Sequence, residues 1–139
     1  MSSPIQLTRR EDRETALAFL YEADMTTDSV IDVAERNLAN PDEYASIIVT
    51  GVSEHQEQID AKIDAIAEDW TVSRMPGIDR AILRMGAFEL LYRPDVPVTA
   101  AVSEAVALAN QYSTAKSAPF INGVLAKLAS VHRHDDESE

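Results

Sequence analysis

Apolar residues recur at helical spacing along nearly the whole chain. Ile59, Ile63, Ile66 and Trp70 stand at i, i+4, i+7 and i+11, which is one continuous stripe. Ala16, Leu17, Leu20 and Tyr21 form a shorter stripe near the N-terminus. Val102, Ala105, Val106 and Ala109 form another, and Phe120, Ile121, Val124, Leu125 and Leu128 a fourth. No segment alternates with period two, and no Asn-Gly or Asp-Gly pair marks a hairpin. The expected fold class is all-α, with about seven helices.

The boundaries follow from caps and breakers. Thr8-x-x-Glu11 reads as a capping box, so the first helix is predicted to start at Thr8. A short second helix is expected over about 29–38, stopped by Asn40-Pro41. A third covers about 42–55 and a fourth about 56–69; the pattern leaves open whether these are one kinked helix. The fifth, about 77–93, is apolar on most sides and predicts a central helix, ended by Arg93-Pro94-Asp95-Val96-Pro97. The sixth spans about 99–112. The seventh starts at Ser117, with Pro119 in its first turn. Gly51, Gly86 and Gly123 fall inside predicted helices, where each costs about 1 kcal/mol relative to Ala, so they read as packing positions. The tail after His132 is expected to fray, with 135–139 an acidic disordered end.

Charge changes this picture more than length does. The 139 residues suit one domain, and 12 basic against 24 acidic residues give a net charge of −12. The excess is local. Residues 22–69 hold thirteen acidic groups against two basic ones, and 135–139 hold four more acids. The remainder is neutral to mildly basic. Such a total argues against a protein that coats DNA nonspecifically, but it leaves room for a local RNA site. The chain has no Cys, which excludes disulfides, thiol catalysis and a Cys-based zinc site. The N-terminus has no signal-peptide core, and no apolar run approaches the ~18–20 residues of a membrane span. A cytoplasmic protein is expected.

Catalytic templates fail one by one. Four glycines are too few and too scattered for a phosphate-cradling loop. Paired Glu-x-x-His motifs, which let a helical bundle hold two metals, are absent: Val52, Ala129 and Val131 precede His55, His132 and His134 by three. His132-x-His134 reads as a solvated terminus, and His55 as a packing histidine on an apolar face. Asp60, Asp64 and Glu68 form a row at i, i+4, i+8, either a solvated face or a surface that meets a basic partner. No enzyme activity, cofactor or resident metal is expected.

The basic residues cluster. Arg9, Arg10 and Arg13 can share one face of the first helix; they suit either a neutralised helix end or an anionic ligand. Arg80 and Arg84 form an i, i+4 pair. Lys116 precedes the last helix, where Ser117 and the free backbone donors suit a phosphate. Phe120 in that first turn is either core or a stacking platform for a base.

Three segments carry a resemblance. IDRAILRMGAFELLYRPDVP (78–97), SEAVALANQYS (103–113) and FINGVLAKL (120–128), with Trp70 and Arg74 upstream, resemble the NusB family of bacterial transcription factors. The R-R-x-x-R-E-x-A-L-x-x-L-Y run from Arg9 to Tyr21 resembles that family's arginine-rich start. The resemblance extends over nearly the whole chain. It implies two small packed helical bundles, here about 8–55 and 56–131 within one domain of 1–134. It implies binding of boxA RNA from ribosomal RNA operons together with the ribosomal protein NusE, and entry into the RNA polymerase antitermination complex, as a monomer or homodimer. Matched by position, Arg9, Arg10, Arg13, Lys116, Ser117 and Phe120 are implied to face RNA, and Tyr21 and Asp79 to face NusE. Glu11 and Asp12 interrupt a segment that is more purely basic in the family. Lys116 stands where an acid is common, and Asp79 where Glu is usual. A NusB-like domain of the ribosomal RNA methyltransferase type, and a protein-only interaction module, are the alternative readings.

Overall fold

The computed structural model describes residues 4–26, 32, 44–68 and 70–133. Among these residues all regular structure is helical. The elements are α1 (Pro4–Met25), α2 (Tyr44–Ile66), a 3-10 turn (Val72–Arg74), α3 (Gly77–Tyr92), α4 (Val98–Tyr112) and α5 (Ser117–His132). The described residues thus hold five α-helices against the seven expected. The expected third and fourth are one element, kinked at His55, whose φ of −117° and ψ of 17° leave the helical region. The expected second helix and the tail at 135–139 lie outside the described residues. No described helix is long and apolar enough to cross a membrane.

α1 starts four residues before its expected cap, at Pro4. Proline suits that first position, because its missing N–H would have no partner there anyway. Thr8 is therefore inside the helix, and the capping-box reading is corrected. The chain divides into two compact units, 1–54 and 55–139. In the first, Ala16, Leu17, Leu20 and Ala23 of α1 are buried, as are Ala45, Ile48, Val49 and Val52 of α2. Both sets repeat at three and four residues, as helical packing requires.

The second unit begins at the kink. The His55 ring stacks on Tyr92, with centroids 3.9 Å apart and planes 13° off parallel, which agrees with a packing role. Ile59 and Ile63 are fully buried, but α2 ends at Ile66, and Trp70 beyond it is 41% exposed. α3, α4 and α5 all pack against one another, and α3 is the most buried of the three, with ten buried residues. A Cβ added at Gly86 would stand 2.7 Å from Leu125 Cδ1, so glycine is what lets α5 lean its leucine onto α3. The last carbonyls of α3 have no partner within the helix. Arg133, just past α5, donates to the carbonyls of Glu89, Leu90, Pro94 and Val96, and so ties the end of α3 to the turn after it.

Candidate nucleic-acid interface

The N-terminal arginines do not share one open face. Arg9 and Arg13, one turn apart, both lean over the Tyr44 ring, with their guanidinium carbons 4.4 Å and 5.8 Å from its centroid. That geometry is a cation–π arrangement. Arg13 is only 5% exposed and continues the buried stripe of α1, whereas Arg10 points outward. The expectation of one shared face is corrected: Arg10 is exposed, Arg9 is half-buried and Arg13 is part of the core. Further along α1, Tyr21 and Met25 are 40% and 53% exposed. They lie four residues apart and therefore on one side of the helix. Spacing could have revealed Met25, since it extends the apolar run past Tyr21.

The second group sits between α4 and α5. Lys116 is exposed and caps α5 with a helical backbone (φ −84°, ψ −18°) and no side-chain cap bond. Ser117 and Asp79 are buried, and their side chains meet. Ser117 Oγ donates to Asp79 Oδ2 at 2.8 Å, and Ser113 Oγ donates to Asp79 Oδ1 at 2.5 Å. Asp79 has no exposed surface, so the NusE contact that the resemblance implies is not available to this carboxylate in the conformation described. The Ser117 hydroxyl likewise faces inward rather than towards a phosphate.

Phe120 is half-buried and meets Trp70 edge to face, with centroids 5.6 Å apart at 84°. The pair borders an open groove of about 640 Å³ whose wall also includes Ile66, Gly123 and Lys127. Gly123 is exposed, and a Cβ there would meet nothing within 4 Å. Its packing role is corrected. Gly123→Ala is expected to raise stability by about 0.5–1 kcal/mol, as an open helical site gains from Ala. A urea melt checks this, and a loss of stability would mean that the backbone at 123 needs glycine.

The remaining charge clusters are used internally. Arg84 forms a two-pronged ion pair with Asp60, at 2.9 Å and 2.8 Å. Arg80 donates to the carbonyls of Val72 and Met75, and Asp64 accepts the Val72 N–H at 2.7 Å. Asp60 and Asp64 fasten α2 to α3 and to the 3-10 turn, while Asp64 and Glu68 still lie on an exposed face.

The NusB family model matches residues 10–130. The transcription antitermination protein NusB of Kineococcus radiotolerans is 43% identical over 127 residues, covering 88% of this chain and 93% of that protein. The chain belongs to the NusB family. Solved NusB structures agree in fold. That of T. maritima NusB superposes with a TM-score of 0.85 at 27% identity, covering 98% of this chain and 97% of that one. A chain from a crystal structure of the antitermination factors NusB and NusE with double-stranded RNA gives a TM-score of 0.76 at 28% identity, covering 89% and 97%. Within the NusB framework, the exposed polar groups at α1 and at the α4–α5 turn lie in separate units of this chain.

Proposed function

We propose that this protein is a transcription antitermination factor without catalytic activity. It binds boxA-type RNA of ribosomal RNA operons together with a NusE protein and joins the RNA polymerase antitermination complex in the cytoplasm. The observation that carries the reading is the identity of 43% to a named antitermination protein over 93% of that protein's length. Arg9 and Arg10 on α1, and Lys116 before α5, are the cations assigned to phosphate. Phe120 with Trp70 supplies ring surface on which unpaired bases stack. Arg13 supports Arg9 through Tyr44 rather than reaching the ligand. Tyr21, with Met25 beside it, is the surface assigned to NusE. An overall charge of −12 then serves selectivity, since nucleic acid is favoured only at small basic patches.

The test is a titration of a boxA-type RNA with and without NusE across a salt series. With about three to five phosphates neutralised, log affinity should fall against log salt with a slope of about −2 to −3.5. NusE should tighten binding, because Glu11 and Asp12 weaken the arginine segment alone. A flat salt response, or no RNA binding in the presence of NusE, would overturn the reading.

A further inference from the structure

Only four residues, 113–116, separate α4 from α5. Both ends of that short turn are tied to one carboxylate in a third helix. Asp79 occupies the third position of α3 and is fully buried. Each serine hydroxyl has one proton, and carboxylate oxygens only accept. Ser113 therefore gives its proton to Oδ1 and Ser117 gives its proton to Oδ2. Thr114 Oγ1 lies 3.0 Å from Ser117 Oγ and can donate to it, since Ser117 has already spent its proton. The 2.9 Å approach of the two serine oxygens follows from both being drawn to one group. The backbone closes the same loop, through Ser117 N–H to the Thr114 carbonyl at 3.0 Å. Lys116 is the exposed residue directly before the bonded Ser117, inside this closed turn.

We infer that Asp79 is a positioning residue for Lys116: through Ser113 and Ser117 it holds the 113–117 turn in the one conformation that presents this lysine, and the start of α5, to a nucleic-acid phosphate. This rests on the RNA reading above and replaces a direct partner contact by Asp79 with an internal role. The physical case is conformational entropy. An untied four-residue turn samples many backbone states, and a flexible lysine on it must be ordered at the moment of binding. Two hydrogen bonds to a buried, immobile acceptor complete that ordering during folding. They also make the lysine's contribution depend on a residue that never touches the ligand.

The dependence separates this role from a plain loss of stability. Asp79→Ala and Lys116→Ala are each expected to weaken boxA-type RNA binding about fivefold, the upper range for one exposed charge contact, and to flatten the salt slope by about 0.7. The double variant should be no weaker than either single one. Asp79→Asn should stay near wild type, because an amide can accept from one serine and donate to the oxygen of the other. Multiplying effects in the double variant, or an unchanged slope in Asp79→Ala, would overturn the inference. So would Asp79→Asn falling as far as Asp79→Ala, the pattern of a direct charge contact. Should Asp79→Ala fail to fold, Ser113→Ala removes one arm of the same tie and must reproduce the pattern at smaller size. Amide hydrogen exchange over 114–118 reads the turn without RNA. Faster exchange in Asp79→Ala is expected, and unchanged exchange overturns the latch. Wild-type protein that binds no RNA would overturn the RNA reading, while the exchange result would still decide whether Asp79 orders the turn.

Discussion

Reversing Arg9 and Arg10 together to Glu is expected to weaken boxA-type RNA binding about a hundredfold, or ~2.7 kcal/mol. Two phosphate contacts become two repulsions. Arg10 is exposed, and the contact of Arg9 with the buried Tyr44 ring is worth about 1–2 kcal/mol, a cost read separately from the affinity. Fluorescence anisotropy with a labelled RNA reads the affinity, and a urea melt reads the fold. Undiminished binding would move the site off α1. Arg13 must be left out of the reversal. It is almost fully buried, and a carboxylate there would be an unpaired charge in the core, at a cost of several kcal/mol. An Arg13→Glu variant that lost RNA binding would report unfolding, not a missing contact.

The second large effect concerns stability. Asp60→Ala is expected to lower the unfolding free energy by about 2–3 kcal/mol, because it strips the two-pronged partner from a guanidinium that is mostly shielded from water. The Arg84 side chain is 13% exposed and that of Asp60 25%, so solvent screens the pair only partly. Arg84→Met should cost less, since it removes the desolvated charge and keeps the apolar stem packed. Glu68→Ala, in the same acidic row but exposed, should stay within about 0.5 kcal/mol. Urea melts of the three variants give the ranking. Equal losses at Asp60 and Glu68 would mean that the ion pair contributes nothing.

The helical class and most boundaries of the second unit were legible in the residues. The expected starts and ends of its last three helices fall within one residue of those observed. Those limits are set by local breakers: Pro76-Gly77, the Pro94–Pro97 turn, and Pro119 in a first turn. The same local logic misplaced the start of α1, because a capping box is permitted by sequence but is used only when the helix actually ends there. The kink at His55 has no mark in the sequence for a related reason. The apolar spacing continues through it, and the departure lies in the φ and ψ of one residue, beside its stack on Tyr92.

The candidate residues follow from the family pattern, whereas their exposure does not follow from sequence. Arg10 and Lys116 are exposed, and Arg9 and Phe120 are half-buried. Arg13, Ser117 and Asp79 are turned inward. Trp70 reads from sequence as a stripe residue, and neither Lys127 nor Met25 stands out, because an aromatic, a lysine and a methionine at helical spacing carry no mark of exposure.

Sequence by itself determined the helical class, the principal breaks, the absence of cysteine chemistry and the family. Each of these depends on a composition or on residues within a few positions of one another. Tertiary structure alone decided which charges remain for a partner. Asp60 meets Arg84 across 24 residues, Asp79 meets Ser113 across 34, and Arg133 reaches the Glu89 carbonyl across 44. A charged or polar side chain is spent or available according to what the packing of helices brings beside it, and that packing has no periodic signature along the chain.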